Sequence, residues 1–175
     1  LRMLNMLTTK PVMIVCNVEE ESAATGNSLS NEVAAYTQAN GMRSVVISAK
    51  IEAEIASLES QEEKNDFLES LNLKQTGLTH IIFEGYQLLD LLTFFTVGPK
   101  EARAWTVQKG SKAPEAAGAI HTDFEKGFIR AETIAYADYV ACNGEQGAKD
   151  TGKLRLEGKD YSVCDGDVFH FRFNV

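Results

Sequence analysis

Cysteine is scarce in this chain, with Cys16, Cys142 and Cys164 its three copies, and no two of them form a C-x-x-C pair. An odd, widely spaced set excludes a disulfide framework and a zinc knuckle, and fits free thiols in a reducing, cytoplasmic setting. Long apolar runs are missing as well. None approaches the ~18 residues of a membrane helix, and the opening LRMLNML has neither the length nor the cleavage site of a signal peptide, so no membrane partner is expected. Positive charge is in deficit: 17 Lys+Arg stand against 25 Asp+Glu, a net charge of −8. The chain as a whole is therefore not an electrostatic glue for nucleic acid or anionic lipid. Also absent is any G-x-x-x-x-G-K-[ST] phosphate loop, so the 175 residues are not expected to form a self-sufficient nucleoside triphosphatase. The first residue is Leu1 rather than Met, and the chain is expected to begin in mid-protein.

What is present is ordinary globular composition, 44% hydrophobic and 24% charged, in a length that allows one large domain or two small ones. Charge divides unevenly. Residues 1–97 hold 6 basic and 13 acidic side chains, whereas residues 98–175 hold 11 and 12.

Residues 11–18 (PVMIVCNV) form a continuous apolar, β-branched run, the pattern of a parallel strand buried on both faces. A polar stretch follows, in which Asn27 or Ser28 can cap a helix carrying Leu29, Val33 and Tyr36 at helical spacing up to Gly41. Residues 44–48 (SVVIS) read as a second buried strand. Strand, crossover helix and strand make a βαβ unit, whose ligand positions lie at the carboxyl ends of the strands. Two short helices are predicted within 51–71, and a further helix over 78–92 should pack on the sheet. Gly98-Pro99 is the clearest break in the chain, and a domain boundary is placed near residue 93.

The remainder has a different grammar. Residues 102–108 alternate as a half-buried strand, and 114–126 carry Ala117, Ile120, His121 and Phe124 at helical spacing. Residues 128–135, 153–156 and 161–163 are further strand candidates. A tight Asp165-Gly166 turn then leads into VFHFRFNV, where Phe169, Phe171 and Phe173 alternate. One helix lying across a small mixed sheet, a β-grasp or ubiquitin-like α+β domain, is the economical solution.

The chemistry concentrates at the two strand ends. Asn17-Val18-Glu19-Glu20 follows the first strand and Ser48-Ala49-Lys50 the second, so the two loops should lie side by side. In nucleotide-binding switch proteins an Asn at this place ties the base-binding loops together, and an acid three positions later can read guanine by accepting from its N1–H and amino group. Adenine offers an acceptor at N1, so a carboxylate against that edge would be repelled, while backbone groups around Val18 can satisfy its amine and N1. N-x-x-E alone is a weak motif that most often marks an ordinary polar loop.

The stretch GPKEARAWTVQKGSKAPEAAGAIHTDFEKGFIRAETIAYADYV, followed by GKLRLEGKDYSVCDGDVFHFRFNV, resembles the carboxyl-terminal TGS-type domain of the YchF family, the Obg-like ATPases, over about residues 94–175. Upstream, KPVMIVCNVEE and VVISAKIEAE resemble the second half of that family's P-loop, OBG-type nucleotide domain, with residues 1–7 as the return of its inserted helical arm. The resemblance implies a fold of a partial parallel α/β sheet (1–93) followed by a β-grasp domain (94–175). It implies a cytoplasmic, ribosome-associated hydrolase that takes ATP with Mg²⁺ and prefers it to GTP because the guanine-reading Asp is replaced, which maps onto Asn17, Val18 and Glu20. Ser48, Ala49 and Lys50 carry over as neighbours of the base. The family's phosphate loop and Mg²⁺ ligands precede Leu1, so no catalytic residue is named here, and its redox-linked cysteine lies outside this chain too. The alternative is a stand-alone β-grasp module that binds ribosomal RNA or a protein and has no nucleotide role.

His121, in AIHTDFEKGF, reads better as a structural or surface histidine than as an acid–base or metal residue, because one turn aims few ligands together. Lys100, Arg103, Lys109, Lys112, Lys126, Arg130, Lys153, Arg155 and Lys159 supply a possible RNA-contacting surface, but interspersed acids make a mixed solvated surface equally reasonable. Trp105 and the alternating phenylalanines read as core.

Overall fold

The computed structural model describes residues 6–174. The expected arm return at 1–7 falls largely outside the described residues; of it, Leu7 opens a single 3₁₀ turn, Leu7–Thr9. The chain divides into two compact units, Leu1–Leu89 and Asp90–Val175. The division falls a few residues before position 93, which lies inside a strand.

The first unit is built on two parallel strands, β1 (Met13–Asn17) and β2 (Arg43–Ile47), paired from Met13↔Arg43 to Asn17↔Ile47. Between them runs α1 (Ser28–Ala39), started by a reciprocal cap in which Asn27 Oδ1 accepts from Ser30 N at 2.9 Å and Ser30 Oγ from Asn27 N at 2.8 Å. Thr37 of this helix is buried and its hydroxyl donates to Ser44 Oγ at 3.1 Å, fixing helix to strand. Then come α2 (Ala49–Ser57), α3 (Gln61–Ser70) and α4 (Gly77–Leu88). Ile51, Ile55 and Leu68 form the small core between α2 and α3. The helix α4 lies on β2 and β1, as the apolar spacing predicts, but leaves Leu78, Ile82 and Phe83 more than half exposed.

The second unit is a five-stranded mixed sheet in the order β4-β3-β7-β5-β6. Its strands are β3 (Leu91–Val97), β4 (Ala102–Gln108), β5 (Phe128–Ala135), β6 (Arg155–Glu157) and β7 (Asp167–Phe173). A parallel β3–β7 contact joins the antiparallel pair β3–β4 to the three antiparallel strands β7, β5 and β6, and α5 (Ala113–Ile120) lies over one face, the β-grasp arrangement. Leu92, Phe94, Val107, Ala113, Ala117, Phe169 and Phe171 are buried together between helix and sheet. The segment expected as one helix over 114–126 is two: His121, with φ −158°, ends α5 and starts α6 (Thr122–Lys126). Two further short helices, α7 (Tyr136–Ala141) and α8 (Glu145–Asp150), were not predicted, and the strand expected at 161–163 is a single bridge, Lys112↔Ser162. Gly166, at φ +81°, makes the expected tight turn into β7. Among the described residues no helix is long and apolar enough to cross a membrane.

Candidate functional site

A parallel pair delivers the carboxyl ends of its strands to one edge, and here both ends carry polar residues. Asn17 closes β1, and its side-chain Oδ1 accepts from Ala49 N, the first helical residue of α2, at 2.9 Å. Because a backbone N–H can only donate, the amide orientation is fixed: the oxygen faces Ala49, and the Nδ2 donors are left for another group. Val18 N donates to Ile47 O at 2.9 Å, which continues the strand pairing one step past β1. The chain then turns through a 3₁₀ segment, Glu20–Ser22, and the Glu20 carboxylate pairs with the Lys50 ammonium. Hydrogen bonding to Glu20 first, and its charge second, hold the Lys50 pKa above the ordinary lysine value, with Glu54 and Glu19 adding to the effect.

All six residues expected at the base therefore meet at the carboxyl ends of the two strands, but the second set is not a loop: Asn17 ends β1, Val18 and Glu20 follow it, Ser48 is the single residue between β2 and α2, and Ala49 and Lys50 begin α2. Ser48 precedes α2 and is 4% exposed, and its buried Oγ has no hydrogen-bond partner among the described residues. Its carbonyl accepts from Glu52 N at 3.0 Å. Glu52 in turn braces the site from behind: its carboxylate accepts from Gly77 N at 2.6 Å and Leu78 N at 3.1 Å, capping α4. Gly77 is required there, since a Cβ would stand 2.7 Å from Ile47 Cγ2. Sequence reasoning missed Glu52; its place one turn into α2 gave no signal that it would reach residue 77.

One expectation needs adjustment. Backbone groups around Val18 were expected to serve both the amine and N1 of adenine, but the Val18 N–H is already given to Ile47. Its carbonyl can still accept from an amine, and the leading N–H groups of the Glu20–Ser22 turn, which lack partners within a helical turn, are the donors left nearby.

Elsewhere, His121 Nδ1 accepts from Asp123 N at 3.2 Å and lies 3.4 Å from Asp123 Oδ2, so this histidine caps α6. Of the basic residues in the second unit, Lys153 pairs with Asp138, Arg155 with Glu157 and Asp167, and Lys112 Nζ donates to Asp160 O and Ser162 Oγ. Lys100, Arg103, Lys109, Lys126, Arg130 and Lys159 are exposed and in no ion pair among the described residues. The glycine spacing of Gly147 to Gly152-Lys153 approaches a phosphate loop, but Leu154 stands where Ser or Thr is needed and the segment is helical.

The architecture is a mixed α/β one in which a helix-backed parallel pair, of the kind found in nucleotide-binding GTPases, precedes a β-grasp sheet. Residues 91–174 match the family model YchF-GTPase_C, described as a protein of unknown function (DUF933). Over 99% of its length the chain is 53% identical to the ribosome-binding ATPase YchF of Bacillus subtilis, and over 98% it is 56% identical to that of Haemophilus ducreyi, covering 48% and 47% of those proteins. The structure of the Schizosaccharomyces pombe YchF GTPase superposes with a TM-score of 0.81 at 34% identity, over 97% of this chain and 45% of that one. Homology to the YchF family thus runs through the whole chain, which spans about half the length of the curated relatives it matches.

Proposed function

We propose that this chain is the base-reading and docking portion of a cytoplasmic, ribosome-associated P-loop ATPase of the YchF kind that prefers ATP to GTP. The observation that carries the nucleotide reading is the pair of links between the two strand ends, Asn17 to Ala49 and Glu20 to Lys50. A guanine-reading carboxylate must be free to accept two N–H groups from the base edge. Glu20 is instead engaged by Lys50, which removes that reading, while the Val18 carbonyl is available to an exocyclic amine. In this reading Asn17, Ser48 and Ala49 flank the base, and Asn17 Nδ2 is a donor for a ring nitrogen. No phosphate-loop motif occurs in the 175 residues, and the two strand ends present no acid cluster for a metal ion. The reading therefore assigns phosphate and Mg²⁺ binding to other parts of the parent protein, and hydrolysis is not expected of this chain alone.

The second unit, read as a TGS-type domain, is the docking part. Its unpaired Lys100, Arg103 and Lys109 cluster in sequence around β4 and supply cations for ribosomal RNA phosphates. That the relatives are named ribosome-binding ATPases supports that partner.

The test is a competition titration of ATP against GTP on the full-length protein. Glu20→Asp, whose shorter side chain withdraws from Lys50, and Lys50→Ala, which releases the carboxylate, are each expected to raise GTP affinity relative to ATP, by about 5- to 10-fold for a recovered charge-assisted hydrogen-bond pair. Unchanged selectivity in both variants removes the side-chain account of base choice.

A further inference from the structure

In the second unit the sheet is incomplete at one place. Strand β7 lies between β3 and β5, and on the β5 side its pairing runs from Asp167↔Ala135 to Phe173↔Phe128. On the β3 side it is paired only at Val168↔Phe95 and Phe169↔Thr96. The cause is local to β3: the strand ends at Val97, Gly98 N closes a turn onto Glu101 O at 2.9 Å, and Pro99 has no N–H to continue a ladder. Residues 170–173 are thus left with a strand on one side and, among the described residues, none on the other.

That gap is a groove of about 620 Å³. Its apolar lining includes Trp105, Ile120 and Phe171, together with Phe173, whose ring stacks on Phe124 at 3.8 Å between centroids. Among the described residues, the only ionisable side chains lining it are Glu101, Glu145 and His170; neither Lys nor Arg is among them. Arg103 lies beside it, its guanidinium 4.2 Å from the centroid of the Trp105 ring.

We propose that this groove takes an extended, cationic and apolar peptide segment of a protein partner, added as a strand beside residues 170–173. The unfilled strand edge calls for an extended backbone that supplies alternating N–H and C=O groups. The aromatic floor calls for apolar side chains at every second position, because successive side chains of a strand point to opposite faces. The two carboxylates select lysine or arginine at the positions between, which favours a basic peptide over RNA, whose phosphates they repel. This surface borders the basic residues assigned to ribosomal RNA at Arg103, which lies on Trp105, but its strand edge, apolar floor and two carboxylates do not depend on that assignment.

Trp105 is the single tryptophan of the chain and lines the groove, so its emission reports occupancy directly. The probes are the capped peptides KVKVKVK, EVEVEVE and KSKSKSK, a KVKVKVK analogue N-methylated along one edge, and oligouridine, each titrated into the full chain. Saturable change of Trp105 emission is expected with KVKVKVK, with affinity weakened about 10-fold or more for each of the other peptides, since charge, apolar side chains and backbone donors are all required. Glu101→Lys with Glu145→Lys, both at exposed positions, is expected to lower KVKVKVK affinity about 10-fold with an unchanged circular dichroism spectrum. Amide exchange of residues 170–173 should slow in the complex. KSKSKSK binding as tightly as KVKVKVK, indifference to N-methylation, or an emission response to oligouridine alone would each overturn the proposal.

Discussion

The two units solve the problem of burying apolar surface in opposite ways. The second unit covers its five-stranded sheet with α5 and encloses a continuous core from Leu92 to Phe171, in which Phe94 is fully buried and Phe169 is 2% exposed. The first unit has a two-stranded sheet, a core of Ile51, Ile55 and Leu68, and α4 with Leu78, Ile82 and Phe83 facing outward. Two strands do not make an independently stable sheet, so the first unit relies on the caps of its helices and on helix–strand ties such as Thr37 to Ser44. The comparison teaches a division of labour. The strand ends proposed to read a nucleotide base sit on the less consolidated unit, and the surfaces proposed for docking sit on the more consolidated one.

The contrast can be broken most sharply at Phe94. Phe94→Ala should cost about 3–5 kcal/mol by transfer and cavity terms, seen as an early unfolding transition of the second unit in urea. Tryptophan emission from Trp105 follows that unit alone, and an unchanged midpoint would mean that the core is not what holds it. Next in size is Asp167, 2% exposed, which accepts from Tyr161 Oη at 2.9 Å and Cys164 N at 2.8 Å. Asp167→Ala leaves those donors short of a partner and is expected to destabilise by about 2–3 kcal/mol, again in the second unit only. Burial, and then the contacts with Cys164 and Asp167, raise the Tyr161 pKa above the ordinary tyrosine value. The neutral phenol is therefore the stabilised form. Its contribution is complete below the ordinary pKa of about 10 and is lost as pH rises past it, and Tyr161→Phe should flatten that alkaline loss.

On the first unit the expected effects are smaller. Asn17→Ala removes the bond to Ala49 N and should cost about 1 kcal/mol of stability while weakening nucleotide binding in the full-length protein more than stability alone explains. Equal small losses in both measurements would make Asn17 a structural tie without a role at the base. The smallest effect is at Glu132, whose carboxylate is held below the usual range chiefly by its hydrogen bonds from Arg172, at 3.1 and 3.2 Å. That stabilisation is present above the ordinary carboxylate pKa and is lost as pH falls toward the lower folded value. Glu132→Gln should shift the acid limb of an unfolding profile by under about 1 kcal/mol.

Much of this was legible in the residues because local rules and global packing agree. The strands at 11–18 and 44–48, the cap at Asn27 and the alternating Phe169, Phe171 and Phe173 each appear where their patterns place them. The burial expected on both faces of the first two strands does not: β1 has no buried residue, Val15 is 42% exposed, and in β2 only Val45 is buried, because a two-stranded sheet leaves its edges uncovered. The break at His121 was not legible, since Ala117, Ile120 and Phe124 keep helical spacing across it and only the side-chain cap to Asp123 shows the stop. Helices α7 and α8 are about a turn and a half each and too short to display a period. At the candidate site, the residue set follows from strand ends. The pairing of Glu20 with Lys50 and the commitment of the Val18 N–H do not, because they depend on how segments some thirty residues apart meet in space.

The most direct test of the division of labour is amide hydrogen exchange on the full-length protein with ATP and Mg²⁺, with ribosomes, and with both. Protection by ATP confined, within these residues, to 17–22 and 48–50, with ribosome-induced protection in 90–174, is the result this account predicts. Ribosome protection falling on the strand ends, or no response of those residues to ATP, would contradict it.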